Sequence, residues 1–183
     1  MVEFFLNNKK VVAKDDETIW AVAKREGITL PHLCFADKPG YRADGNCRAC
    51  MVSIEGERVL AASCIRKPTE GMKVLTNDER SIKSRKMVLE LLVTDQPDRE
   101  TSHDPDSHFW KIASDIDVEK SRFEKREKKI VPCEDSSHVA MSVNLDACIH
   151  CNLCVRACRE VQVNDVIGIC LLYTSDAADD PTC

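Results

Sequence analysis

Two short apolar runs open the chain, residues 2–6 and 10–13, separated by NNKK, whose two asparagines favour a turn, and together they predict a β-hairpin. The period then changes. In TIWAVAKREG, Ile19, Val22 and Ala23 share one face of a helix, Thr18 is placed to cap its start, and Gly27 suits the position after its last turn. LPHLCFADKPGYRADGNCRAC follows with little periodicity and with Pro31, Pro39, Gly40 and Gly45, so it reads as a long loop, and an irregular loop of that length in a small domain is usually functional. MVSIEGERVL then predicts a second hairpin turning at Glu55 and Gly56, and GMKVLT a last strand. Five short strands and one helix around a loop give an α+β domain over residues 1–78.

Beyond it, NDERSIKSRKMVLELLVTD predicts a helix capped by Asn77, with Met87, Val88, Leu91 and Leu92 as the apolar stripe and Lys83, Arg85 and Lys86 on a solvated face. DPDSHFWKIAS predicts a further helix, with Asp104 as cap and Pro105 at its first position. The rest of residues 79–138, including EKSRFEKREKK, reads as a charged surface connection, and residues 139–169 form a third segment.

Cysteine changes the picture. The 183 residues include 11 cysteines, grouped as Cys34, Cys47, Cys50 and Cys64 near the start and Cys148, Cys151, Cys154 and Cys158 near the end, with Cys133 between. Such density means disulfides in a secreted protein and metal or redox chemistry in a cytosolic one. The N-terminus lacks a cationic region followed by an apolar run, and no stretch approaches the roughly 18 apolar residues of a spanning helix. A cytoplasmic protein with reduced thiols and no membrane insertion is the expectation. A net charge of -5 with interspersed signs offers no basic surface for nucleic acid.

The first group is spaced C-x12-C-x2-C-x13-C. The close pair Cys47 and Cys50 can chelate one iron, while Cys34 and Cys64 close the other side of a [2Fe-2S] rhomb; a zinc knuckle or buried thiols are the alternatives. An anionic cluster needs peptide N–H groups turned inward, which Gly40 and Gly45 permit, and Arg42 and Arg48 are candidates to offset charge. DGNCRACMVSIEGE and AASC resemble the β-grasp [2Fe-2S] domain found at the N-terminus of the complex I large peripheral-arm subunit, of iron-only hydrogenases and of NAD-linked formate dehydrogenase alpha subunits. That resemblance implies that Cys34, Cys47, Cys50 and Cys64 are the four ligands.

The second group, C-x2-C-x2-C-x3-C, is the bacterial ferredoxin run, in which three close thiolates grip one [4Fe-4S] cube and the fourth reaches another. By it Cys148, Cys151 and Cys154 would bind the proximal cube and Cys158 its neighbour, in a truncated ferredoxin-type segment over residues 139–169. Arg159 stands where that run usually has proline, and CVRACREVQVNDVIG with this arginine resembles formate dehydrogenase alpha subunits. Complex I subunits and many hydrogenases carry a His-plus-three-Cys cluster site just after the first domain. Here TDQPDRETSHDPDSHFW holds His103 and His108 but no cysteine, so that cluster is expected to be absent. Cys133 reads as an unremarkable thiol, and His150 as a residue able to tune the cube by a hydrogen bond.

CLLYTSDAAD, Cys170 to Asp179, is what a transposase-based sequencing adapter encodes, so residues 170–183 are expected to be read-through and not native, and Cys170 and Cys183 are not taken as ligands. The resemblance as a whole implies the electron-relay part of a molybdenum- or tungsten-dependent formate dehydrogenase. Formate would be oxidised at a molybdopterin centre downstream, and single electrons would pass to a flavin/NAD-binding partner subunit. No residue here is expected to convert substrate. A complex I or hydrogenase N-terminus, a free-standing electron carrier and a zinc-stabilised module are the alternatives.

Overall fold

The computed structural model describes residues 1–125 and 134–169, so Cys133, Cys170, Cys183 and the expected adapter-encoded tail lie outside the described residues. The first two runs pair as an antiparallel hairpin, β1 (Val2–Leu6) and β2 (Lys9–Ala13), burying Phe4, Leu6, Val11 and Ala13 on one face. Asn7 and Asn8 make the turn at positive φ, 50° and 69°, a region asparagine tolerates and one that matches the twist of the flanking strands. Asn7 also anchors the turn: its Nδ2 donates to Thr76 Oγ1 at 2.7 Å, and its Oδ1 accepts from Thr76 N at 2.8 Å.

α1 (Ile19–Arg25) begins where Thr18 Oγ1 accepts from Ala21 N, and it buries Ile19, Trp20, Val22 and Ala23. β3 (Met51–Ile54), β4 (Ala61–Ala62) and β5 (Lys73–Leu75) complete a five-stranded sheet in the order β2-β1-β5-β3-β4. β1 and β5 are parallel and the other neighbours antiparallel. Val52, Ile54 and Val74 join the residues of β1, β2 and α1 in one core. The return strand of the second hairpin lies beyond the ERVL expected to form it: Val59 is 63% exposed, the Arg58 carbonyl accepts from Arg80, and pairing resumes only at Ala61.

α2 (Glu79–Asp95) corrects two expectations. Its cap is Asp78, not Asn77, because the Asp78 carboxylate accepts from Ser81 N at 3.3 Å. Its buried face is Ser81, Arg85, Leu89 and Val93, while Leu91 is 52% exposed, so Arg85 leaves the solvated face assigned to it. α3 (His108–Asp115) is capped by Ser107, whose Oγ accepts from Trp110 N; Asp104 and Pro105 precede it in a turn closed by the Ser107 N to Asp104 O bond. Phe109, Trp110, Ile112 and Ala113 of α3 meet Leu89 and Val93 of α2 in a second core, which also takes in Leu33, Ala49 and Val118. An exposed hairpin, β6 (Asp135–His138) with β7 (Met141–Val143), was not anticipated.

The described residues form two compact units, one of Met1–Phe35 with Ala43–Cys151, the other of Ala36–Arg42 with residues 152–169. In the second, α4 (Leu153–Arg156) runs into a π-helical turn, Ala157–Val161. Glu160 of that turn takes a forked ion pair from Arg42, with Nε and Nη2 at 3.1 and 3.0 Å from Oε1. No helix of the described residues is long and apolar enough to cross a membrane.

Candidate metal centre

The four cysteines of the first group come together although the chain separates them by a loop and two strands. Cys34 follows Leu33, and Cys50 follows Ala49; both neighbours are buried in the second core, while Cys50 and Cys64 belong to the first. The loop is thereby pinned from both sides. Cys34, Cys50 and Cys64 are buried and Cys47 is half-buried, all as free thiols.

Their contacts are pairwise. Cys47 and Cys64 both donate to Cys34, and Cys64 also meets Cys50, giving a chain of sulfurs in the order 47, 34, 64, 50. Receiving bonds from the Cys47 and Cys64 thiols holds Cys34 well below the ordinary thiol range, and the Cys64 contact holds Cys50 below it too, at about 6. Cys47 and Cys64 are pushed up, first by donating those bonds and then by burial. Two of the four thiols are thus held down and two up by the contacts they share. Among the described residues no three His, Cys, Asp or Glu side chains form a ready-made pocket for one metal ion.

Backbone N–H groups are aimed at the same sulfurs. Cys47 N donates to Cys34 Sγ at 3.5 Å, Asn46 N also reaches Cys34, Ala49 N reaches Cys47, and Cys64 N reaches Cys50. Two left-handed residues make this possible, Gly45 at φ 66° and Arg48 at φ 58°, each reversing the chain so that successive N–H groups point inward. Gly45 is needed for space as well, since a Cβ there would lie 2.7 Å from Ile65 Cδ1. Ser63 anchors Cys50: its Oγ donates to the Cys50 carbonyl at 2.8 Å, and its own carbonyl accepts from Trp20 N of α1.

The arginines expected beside the cysteines take these places. Arg42 is engaged by Glu160 in the second unit, and Arg48 is exposed. A buried cation nearby is Arg85, whose Nε donates to the carbonyl of Met51, the residue after Cys50, and whose only sequence signal was its place between Ser81 and Leu89 on one helical face.

The second group is not gathered in this way. In the first unit Cys148 is exposed, with its Sγ accepting from His150 N at 3.4 Å, and Cys151 is half-buried. In the second, Cys154 is exposed on α4, while Cys158 is buried and accepts from Val166 N at 3.3 Å. His150 and Asn152 take left-handed backbone, φ 52° and 61°, so the run turns tightly. His108 Nε2 bonds to the His32 carbonyl at 2.9 Å, and His103 pairs with Glu134.

The fold has counterparts among known proteins. Residues 1–79 match the model of the 2Fe-2S iron-sulfur cluster binding domain. The chain is 30% identical, over 98% of its length, to the mitochondrial NADH-ubiquinone oxidoreductase 78 kDa subunit of Candida albicans, and 28% identical over 92% to NADP-reducing hydrogenase subunit HndD of Solidesulfovibrio fructosivorans. It spans 24% and 29% of those proteins, about a quarter of their length. Its fold is found in the crystal structure of an NAD+-reducing [NiFe]-hydrogenase in the H2-reduced state, with a TM-score of 0.75 at 24% identity over 89% of this chain and 68% of that one. Residues 1–79 thus match a 2Fe-2S cluster binding domain, and the chain shares its mixed α/β fold with the hydrogenase structure.

Proposed function

We propose that Cys34, Cys47, Cys50 and Cys64 hold one [2Fe-2S] cluster and that the chain is an iron-sulfur electron-transfer segment of a larger NAD(P)-linked oxidoreductase. The observation that carries this reading is the set of four thiols meeting two by two beneath inward-facing N–H groups. A [2Fe-2S] rhomb takes two protein thiolates per iron, because bridging sulfides fill the remaining positions. The contacts favour Cys34 with Cys47 on one iron and Cys50 with Cys64 on the other, in place of the Cys47–Cys50 chelate that spacing alone suggested. A bound cluster supplies one reversible electron. The chain's own residues keep water from the sulfurs, donate N–H bonds to them and fix their positions.

Cys148, Cys151 and Cys154 are proposed ligands of a [4Fe-4S] cube and Cys158 of a second, on the strength of their spacing. The flavin/NAD partner subunit belongs to the same reading, supported by relatives whose names describe NADH and NADP chemistry. Two narrower readings compete for the whole enzyme. Arg159 after the fourth cysteine, here ion-paired to Asp165 at 2.5 Å, and the cysteine-free stretch between Cys64 and Cys133 favour a formate dehydrogenase alpha subunit with a molybdopterin centre beyond this segment. The similarity to NADH-ubiquinone oxidoreductase and hydrogenase subunits favours those enzymes instead.

Anaerobic reconstitution with iron and sulfide tests the central claim. The expected product is brown, binds roughly two irons at the first site, and on reduction with dithionite gives the S = 1/2 signal of a [2Fe-2S] centre. Cys64→Ser abolishes that signal, and Cys148→Ser leaves it intact. A colourless chain holding stoichiometric zinc would sink the reading.

A further inference from the structure

Arg85 is a charged side chain in the interior of the first unit, 9% exposed. Its Nε donates to the Met51 carbonyl at 2.8 Å, and its Nη2 donates to the Thr76 carbonyl. Met51 directly follows Cys50, so the guanidinium sits behind that residue and joins it to the end of β5. Both bonds go to neutral carbonyls. The negative groups that act on Arg85 do so through space, Asp78 first and the Cys50 thiolate second, while burial acts against the charge.

Two carbonyls can be satisfied by neutral donors, and burying a cation to serve them costs desolvation that no bonded carboxylate offsets. A guanidinium stays protonated in proteins, so the positive charge beside Cys50 is permanent. Reduction of a four-thiolate cluster adds one negative charge to a site that is already anionic, and a fixed cation in a poorly screened interior favours that more negative form.

We propose that Arg85 is a positioning residue for the cluster site, holding the Cys50–Met51 backbone against β5 and raising the reduction potential of the cluster through its buried charge. The proposal rests on the [2Fe-2S] reading above. During a potentiometric titration dithionite supplies one electron per cluster, and no bond in the chain forms or breaks.

The test is the midpoint potential of the reconstituted full chain, followed by EPR, for wild type, Arg85→Gln, Arg85→Lys and, as a control, Lys83→Gln on the exposed side of the same helix. Arg85→Gln keeps an amide donor and loses the charge, so its potential falls below wild type. Arg85→Lys keeps the charge and stays near wild type, and Lys83→Gln does not move. Raising the salt concentration leaves the Arg85→Gln shift in place, because a buried charge is little screened. Should Arg85→Gln fail to retain a cluster, Asp78→Asn keeps the cap oxygen, removes the carboxylate that opposes the guanidinium, and raises the potential. If Arg85→Gln loses thermal stability while its potential equals that of wild type, or if Asp78→Asn leaves the potential unchanged, Arg85 is structural only and the proposal is overturned. If wild type takes up no [2Fe-2S] cluster, the functional reading fails and this proposal falls with it.

Discussion

At the scale of single residues, the grouping of Cys34, Cys47, Cys50 and Cys64 was legible because it stands as a spacing in the sequence, whereas the residues that shape their surroundings leave no such mark. Ile65 and Gly45 illustrate the difference, since nothing in the sequence links them, yet the absence of a Cβ at one is what admits the other. Gly45→Ala is expected to destabilise by about 1–2 kcal/mol from the left-handed backbone alone, with a further cost from crowding Ile65. Ile65→Ala should recover only the crowding part. A double-mutant cycle by denaturant unfolding reads this directly: strict additivity of the two changes would mean that Ile65 does not set the space at Gly45. Glu17 gives a second residue-scale expectation. Its carboxyl is held below the ordinary range by hydrogen bonds from Arg25, at 3.0 and 3.2 Å, and from Lys14 N. A carboxylate with a lowered folded-state pKa contributes stability above its unfolded pKa and loses it as the pH falls through the folded one. Melting temperatures of wild type and Glu17→Gln should therefore differ at pH 7 and converge as the pH drops below the ordinary glutamate range. The gap should be small, because Arg25 is partly exposed.

Among elements, β1, β2, β3, β5, α1 and α2 were visible in the sequence, but the place of β4 and the face of α2 were not. Val88 and Leu92 pack partly against the second core, so the stripe drawn through Met87, Val88, Leu91 and Leu92 was rotated from the true one rather than opposite to it. The error came from Arg85. A cation on a helix reads as solvated unless its partners are known, and those partners are carbonyls on β3 and at the end of β5, which only the tertiary fold brings near. The two faces make a sharp contrast. Leu89 is fully buried, so Leu89→Ala should cost about 2–5 kcal/mol. Leu91 is 52% exposed, so Leu91→Ala should stay within about 0.5 kcal/mol. Equal losses in urea unfolding would restore the stripe read from the sequence. α3 shows a related limit: Ser107 and Asp104 are both good caps on paper, and Pro105 tipped the reading toward Asp104, but the Asp104 carboxylate is used by Asp106 N in the preceding turn.

For the molecule as a whole, the decisive feature is that the cysteine loop belongs to two cores at once. Phe4, Leu6, Ile19, Val22, Val52 and Val74 form a sheet-and-helix core that includes only two of the four thiols, and it would remain apolar and closed without iron. Leu33 and Ala49 are held instead by α2 and α3, so Cys34 and Cys50 are fixed by buried neighbours, and N–H to sulfur bonds from Asn46 and Cys47 fill the space beside them. Iron binding should therefore stabilise the protein unevenly, because ligand bonds add free energy where the unliganded chain has few other contacts. Hydrogen exchange on reconstituted and iron-free protein measures this. Amides of Asn46, Cys47, Ala49 and Cys64, the donors to sulfur, should exchange many-fold more slowly with the cluster present, whereas those of β1 and α1 should change little. Uniform slowing across β1, α1 and the loop would mean instead that the domain folds only around its cluster. In that case the hydrophobic core drawn by Phe4, Leu6 and Val52 is insufficient by itself, and the thiol chemistry is a condition of the fold as well as of the electron transfer proposed for it.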